Sequence, residues 1–359
     1  MKTALERFLD TLEENRCAVF FSEISRRFLS GFPASDGVLF VSHAECVLYL
    51  DSRYYEMGCI AASRGQIPPQ IRIEEAVFFR DFAQRLEKGA VREVFFEDLA
   101  LTVSELSSLQ KRFPKAEWLP MGERCTLLRA VKTPEEIEKI RAAQSLAESA
   151  YTHLLSVLSP KMTETEVAAE LEYYMKKNGA SAPSFETIAI SGTRTSLPHG
   201  RPENRLLENN AFLTLDFGAL LDGYCADMTR TVCLGKASDE MKKVYETVLS
   251  AHLAAFARIR AGVTGAFVDD GARSVIKEAG YGEYFGHSTG HGIGLEVHEA
   301  PSFSPRATES IIPAGAVLSV EPGIYLPGKF GVRIENLAVV LPDGAEDLNK
   351  TSRALLEIC

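Results

Sequence analysis

No hydrophobic run in this 359-residue chain approaches the roughly 20 apolar residues of a membrane-spanning helix. The opening ten residues carry charges at Lys2, Glu6, Arg7 and Asp10 and lack the apolar stretch of a secretion signal. Positive charge is in deficit. Against 49 Asp and Glu there are 39 Lys and Arg, a formal net charge of −10. Nucleic acid and anionic membranes reward basic patches, so neither is expected as a partner. Cysteine is scattered over Cys17, Cys46, Cys59, Cys125, Cys225, Cys233 and Cys359, with no Cys-x-x-Cys. That excludes a disulfide framework and a zinc knuckle, and predicts free thiols in a reducing cytoplasm. Cys225 and Cys233 flank Asp227 but read as packing residues.

What is present is enough apolar material, 46% of residues, for a substantial core. The length favours two domains. In residues 1–125, Cys17–Phe21, Gly37–Val41, Cys46–Leu50 and Val94–Phe96 are apolar runs of buried-strand length. Leu5–Leu12, Val77–Leu86 and Ser104–Phe113 show helical spacing, which together predicts an α/β layer domain. No metal-ligand or nucleophile constellation occurs there.

The boundary falls near Gly122–Lys132, and the second domain takes residues 126–359. Thr133, Pro134 and Glu136 make a capping box with proline at the first helical position, followed by Ile137, Ile140, Ala143 and Leu146. A second box, Thr163 to Glu166, opens a helix that stops at Asn178-Gly179. After an intervening strand-like stretch the plan recurs. Ser238 caps a helix through Met241, Val244 and Leu249, and another runs from Phe267 to Ala279 and stops at Gly280. Two helices and then a β-ribbon, twice, predict an internally duplicated α+β domain.

Each ribbon carries a pair of acids. Asp216 and Asp227 lie on strand-like segments joined through Leu221-Asp222-Gly223, a hairpin signal. A turn centred on Leu221-Asp222 sets them directly opposite; one centred on Asp222-Gly223 makes them diagonal neighbours on one face. Glu321 ends the apolar run Val317–Val320, and Glu335 follows Arg333 closely. Buried carboxylates need pairing or metal. His291 sits between glycines, which permit close backbone approach. Four carboxylates and one imidazole make an oxygen-rich cage for two divalent cations. With no thiolate among them, Mn²⁺, Co²⁺ or Fe²⁺ are favoured over structural zinc.

In this order and spacing, the segments around Asp216, Asp227, His291, Glu321 and Glu335 resemble the dinuclear metallopeptidases of the pita-bread fold: methionine aminopeptidase, aminopeptidase P and prolidase. The resemblance runs from about residue 132 to about residue 350. The N-terminal 125 residues, with an Asp51–Glu56 corner similar to the creatinase/prolidase N-domain, favour the aminopeptidase P/prolidase branch. The resemblance implies a pseudo-twofold catalytic domain. It makes Asp227 and Glu335 bridging ligands, with Asp216 on one ion and His291 on the other. Glu321 becomes both ligand and proton shuttle, and His298 stabilises the oxyanion. His199 lies on the opposite wall, and His287, Tyr325 and Arg333 line the substrate pocket, Arg333 also orienting a ligand. The implied reaction is attack by a metal-bridging hydroxide on the N-terminal Xaa-Pro bond of small peptides, in a cytoplasmic homodimer. Mn²⁺ is the first expectation, with Co²⁺, Fe²⁺ or Zn²⁺ as alternatives. A non-catalytic peptide-binding relative and a creatinase-like C–N hydrolase are the competing readings; the intact ligand set counts against both. Some prolidases carry an arginine just after His-Glu-x-Pro to hold a dipeptide's carboxylate. Here Ser302 takes that slot and Arg306 lies further on, which leans towards a peptide-accepting aminopeptidase.

Overall fold

The structure is a computed structural model describing residues 2–89 and 92–358; Cys359 lies outside the described residues. The chain forms two compact units that divide between Arg129 and Ala130, within the last turn of the helix Arg124–Ala130.

The first unit is a six-stranded mixed sheet with helices. Its strand order is Ile71–Glu75, Cys46–Leu50, Val38–Ser42, Arg16–Phe20, Glu93–Phe96 and Glu117–Pro120. The four inner strands are the apolar runs expected from sequence, within a residue or so at each end. They are buried along nearly their whole length, as strands covered on both faces must be. Phe40, Phe78, Phe82 and Phe113 fill the space beside them. The two edge strands were not anticipated. Ile71–Glu75 is half-exposed and carries three charges, and Glu117–Pro120 is short, exposed at both ends and closed by a proline, so neither has the continuous apolar run of a core strand.

The second unit repeats one plan. In its first half, helices Pro134–Val157 and Glu164–Lys177 pack Ala143, Ala147, Leu154, Val167 and Leu171 against Leu213, Leu215 and Phe217. Both capping boxes form as the sequence predicts, Thr133 with Glu136 and Thr163 with Glu166. The sheet order is Glu357–Ile358, Met228–Leu234, Ala211–Phe217, Ile188–Ser191. In the second half, helices Asp239–Phe256 and Gly265–Glu278 cover Leu318, Val320, Ala338 and Val340. Their sheet runs Glu299–Phe303, Gly290–Gly292, Val317–Val320, Asn336–Val340, Ala345–Asp347. No helix among the described residues is long and apolar enough to cross a membrane.

The registers of the two ribbons differ. In the first, Leu221 pairs with Tyr224 around Asp222-Gly223, whose φ values of 48° and 79° give the two-residue turn that needs positive φ twice. Asp216 therefore pairs with Thr229, and the same register sets Asp227 opposite Gly218, so the aspartates are diagonal. A Cβ on Gly218 would lie 1.8 Å from the Ala226 carbonyl oxygen, so only glycine allows that approach. In the second ribbon Val320 pairs with Asn336 and Gly323 with Arg333. Glu321 and Glu335 then face each other directly between the two ladders.

Candidate active site

All five ligand candidates stand at strand ends or on a short strand. Asp216 closes Ala211–Phe217, Asp227 precedes Met228–Leu234, His291 lies within Gly290–Gly292, Glu321 follows Val317–Val320 and Glu335 precedes Asn336–Val340. Together they line one cavity of about 530 Å³. Asp216, Asp227 and Glu335 are 9%, 5% and 1% exposed. One ligand atom from each of Asp227, His291 and Glu335 lies within 4.8 Å of the others. His291 Nε2 is 3.2 Å from Glu321 Oε1 and 3.6 Å from Asp227 Oδ2.

The hydrogen bonding leaves this cage incomplete without a cation. Asp216 Oδ1, Asp227 Oδ1 and Glu335 Oε1 are buried and have no hydrogen-bond partner. Unpartnered buried carboxylate oxygens are costly and rare. His291 Nδ1 lies 3.1 Å from the Gly292 carbonyl; donating there, it turns Nε2 towards the carboxylates, the arrangement of an imidazole that ligates a metal once Nε2 gives up its proton. Burial, reinforced by Glu335, Asp216 and Glu321, pushes the Asp227 carboxyl well above its ordinary range. Burial and the charges of Glu321 and Asp216 do the same to Glu335. For Glu321 burial pulls upward, but the hydrogen bond and charge of His291 prevail and hold it at about 2. Burial opposes protonation of His291, and Glu321 lifts it to about 9. The protein alone must thus retain protons where divalent cations would displace them. Four carboxylates and one imidazole fit such ions.

A layer of unanticipated residues braces the cage. Thr229 donates its hydroxyl to Glu335 Oε2 at 2.7 Å and accepts from Arg333 Nε at 3.0 Å. Ser319 donates to Glu321 Oε1 at 3.0 Å and accepts from the His291 amide at 3.0 Å. Gln144 Oε1 accepts the Asp227 amide at 3.2 Å. Thr229 and Ser319 sit two residues from Asp227 and Glu321, and strand periodicity was the available signal for them. Gln144 comes from a distant helix, and nothing local marks it.

The pocket residues separate into two groups. His199 and His298 line the cavity and are exposed, and the His298 ring meets the His291 ring edge-on at 4.2 Å. Burial, then the His291 charge, lowers the His298 pKa. Its neighbour Glu299 is anchored by a buried ion pair with Lys132 at 3.0 Å. Arg333 also lines the cavity, but its guanidinium is engaged. It reaches Asp216 Oδ2 at 2.5 Å, the Tyr325 hydroxyl at 2.7 Å and the Pro198 carbonyl at 3.2 Å, besides Thr229. Tyr325 does not line the cavity. It stands behind His287, 2.9 Å from its Nε2. His287 Nδ1 lies 2.8 Å from the Ser288 carbonyl, so both ring nitrogens of His287 are occupied. Burial lowers its pKa, and it offers the cavity an uncharged ring. Phe185, Ile188, Pro198 and Val297 complete an apolar lining.

Comparison with known proteins matches this architecture along its whole length. Metallopeptidase family M24 matches residues 138–342, and the Creatinase/Prolidase N-terminal domain matches residues 5–131. The Xaa-Pro dipeptidase of Pyrococcus furiosus is 36% identical over 359 residues, covering 99% of this chain and 100% of that protein. Among solved structures, the Xaa-Pro dipeptidase from Bacillus anthracis superposes with a TM-score of 0.93 at 37% identity, covering 99% of each chain. The X-Pro aminopeptidase from Thermotoga maritima does so at 0.90 and 35% identity, covering 100% of each. With the pita-bread ribbons, the acidic cage and these matches in agreement, the chain belongs to metallopeptidase family M24, as a divalent-metal hydrolase carrying a creatinase/prolidase N-terminal domain.

Proposed function

We propose that this protein hydrolyses the N-terminal Xaa-Pro bond of small peptides, with Asp216, Asp227, His291, Glu321 and Glu335 holding two divalent ions, Mn²⁺ first among them. The observation that carries this is the trio of buried, unpartnered carboxylate oxygens gathered around one imidazole in the cavity. Bound divalent ions supply an activated water at neutral pH and positive charge against the scissile carbonyl. Glu321, hydrogen-bonded by Ser319, takes the proton from the attacking water and delivers it to the departing proline nitrogen. His298, exposed in the cavity, donates to the oxygen that gains negative charge. His199 holds the substrate from the facing wall. His287, Ile188, Pro198 and Val297 give the proline ring an apolar bed, and the acidic cage takes the free amine.

Proline brings no amide hydrogen to a site, so recognition must rest on ring shape. Ser302 lines the cavity and Arg306 is not among its lining residues. That supports a peptide-accepting aminopeptidase over a strict dipeptidase. We further infer a homodimer in a reducing cytoplasm. The family resemblance supports the dimer, and the six described cysteines, among which no disulfide forms, support the compartment. A light-scattering mass near 39.5 kDa would contradict the dimer.

The test strips the enzyme of metal, reloads it with each candidate ion, and compares Xaa-Pro dipeptides, Xaa-Pro-Xaa tripeptides, Xaa-Ala analogues and N-acetylated peptides. Turnover of proline substrates with free amines is expected, with little of the others. Equal rates on proline and alanine would overturn the specificity, and inactivity with every ion would overturn the enzymatic reading.

A further inference from the structure

The segment Tyr281–Thr289 joins the helix Gly265–Glu278 to the strand bearing His291, and brings His287 to the cavity wall. Two residues of that helix, one turn apart, hold it. Asp269 is 1% exposed. Its Oδ1 accepts the Thr289 amide at 3.1 Å, the Thr289 hydroxyl at 2.8 Å and Arg273 Nη2 at 3.0 Å, while Oδ2 accepts Arg273 Nε at 2.7 Å. Arg273 also donates to backbone: Nη1 to the Phe285 carbonyl at 3.0 Å and Nη2 to the His287 carbonyl at 2.9 Å. Its guanidinium also lies over the Phe285 ring, 4.3 Å from the centroid.

What this pair holds belongs to the reaction. Thr289 accepts the Glu321 amide on its own carbonyl at 2.8 Å, so the carboxylate that fixes Thr289 also fixes the start of the glutamate's backbone. Arg273 grips the carbonyl of His287, whose ring has both nitrogens committed and so cannot reorient by exchanging partners. A bidentate ion pair adds geometric precision as well as energy, and a wall that must meet a ring to within a fraction of an ångström calls for supporting bonds of that kind.

We propose that Asp269 and Arg273 are positioning residues for the peptidase: Arg273 sets the His287 wall against the proline ring, and Asp269, through Thr289, sets Glu321. The first part rests on the Xaa-Pro reading above; the second rests only on the metal cage. Arg273→Lys keeps the charge but cannot span two carbonyls and a carboxylate at once. It should raise KM for Xaa-Pro substrates on the order of tenfold with a smaller change in kcat. In a His287→Ala background the same change should cost less than twofold, since the ring it acts through is gone. Thr289→Val deletes one hydroxyl with little change of shape, and should weaken divalent-ion affinity on the order of tenfold by calorimetric titration. Where Arg273→Lys folds poorly, Arg273→Gln in the parent and His287→Ala backgrounds gives the same comparison. Additive effects of Arg273→Lys and His287→Ala on kcat/KM, or parent-like metal affinity in Thr289→Val, would overturn the corresponding half. If the parent does not cleave Xaa-Pro peptides, the functional reading fails, and the metal titration still decides the role of Asp269.

Discussion

Arg333 and Asp216 form a buried ion pair between the strands Phe330–Arg333 and Ala211–Phe217, with Nη2 2.5 Å from Oδ2 and side chains 4% and 13% exposed. The contact occupies one oxygen of the carboxylate and leaves Oδ1 without a partner. The same guanidinium holds Thr229, which in turn holds Glu335. One guanidinium therefore orients carboxylates from both halves of the duplicated domain and offsets part of the cage's negative charge.

Removing that guanidinium should strand Asp216 as an unpaired buried charge. Arg333→Met is expected to destabilise the metal-free protein by about 3–5 kcal/mol, the range for breaking one side of a buried pair. Added Mn²⁺ should recover part of the loss, since a cation at Oδ1 replaces some of the missing charge. Denaturant melts in chelator and in Mn²⁺ measure both effects; equal stability of parent and variant in chelator would show that the pair does not hold Asp216.

Glu335→Gln should behave in the opposite way. Burial and like charge burden Glu335 when no cation is present, and glutamine can still accept the Thr229 hydroxyl. The variant's Tm in chelator is expected to match or exceed the parent's, while its rise on adding metal falls by half or more and activity disappears. A variant that is weaker in chelator yet gains the parent's full metal stabilisation would remove Glu335 from the ligand set.

Much of this arrangement was legible because it rests on local chemistry. Leu221-Asp222-Gly223 marks a hairpin turn, and Thr133, Thr163 and Ser238 each accept the amide three residues on, as their spacing predicts. The choice between registers was not legible. Leu221-Asp222-Gly223 offers two centres for the turn; the structure takes Asp222-Gly223, and Gly218 then admits the Ala226 carbonyl across the ribbon. Tyr325 was expected at the wall because it follows Glu321 closely. The strand turns its hydroxyl to Arg333 and His287 instead, behind the lining. Asp269 and Arg273 look like an ordinary surface i,i+4 pair until the fold brings Thr289 and His287 to them.

The pH profile of stability should carry the mark of His252. It is fully buried on the helix Asp239–Phe256, with Nδ1 3.5 Å from Arg353 Nη1 and Nε2 unpartnered. Burial, then the charges of Arg353 and Arg230, push its pKa down to about 3. An unfolded imidazole titrates near ~6.5, so between these values the unfolded chain binds a proton that the folded chain refuses. Stability is therefore whole above that unfolded value and falls as pH drops towards 3. At pH ~4.5 the loss from this group is about 3 kcal/mol. His252→Gln should remove that share, so the two proteins' stabilities converge or cross in acid. Chemical denaturation at neutral and acid pH decides it, and parallel pH slopes would clear His252 of the role.

His298 offers the sharpest separation of chemistry from architecture. It is exposed in the cavity, touches His291 edge-on, and lies next to Glu299, whose buried bond to Lys132 fixes the backbone without help from the imidazole. Truncating it removes no buried packing and none of the cage's five donors. His298→Ala should therefore keep the parent's Tm and its metal content by elemental analysis. If its role is to donate to the carbonyl oxygen as charge develops there, kcat should fall on the order of 10²–10³-fold, the usual cost of one such donor. KM should change little, because the bond strengthens only in the transition state. A variant that loses metal would make His298 a ligand. One that loses KM with kcat intact would make it a binding group, leaving stabilisation of the oxyanion to the cations alone.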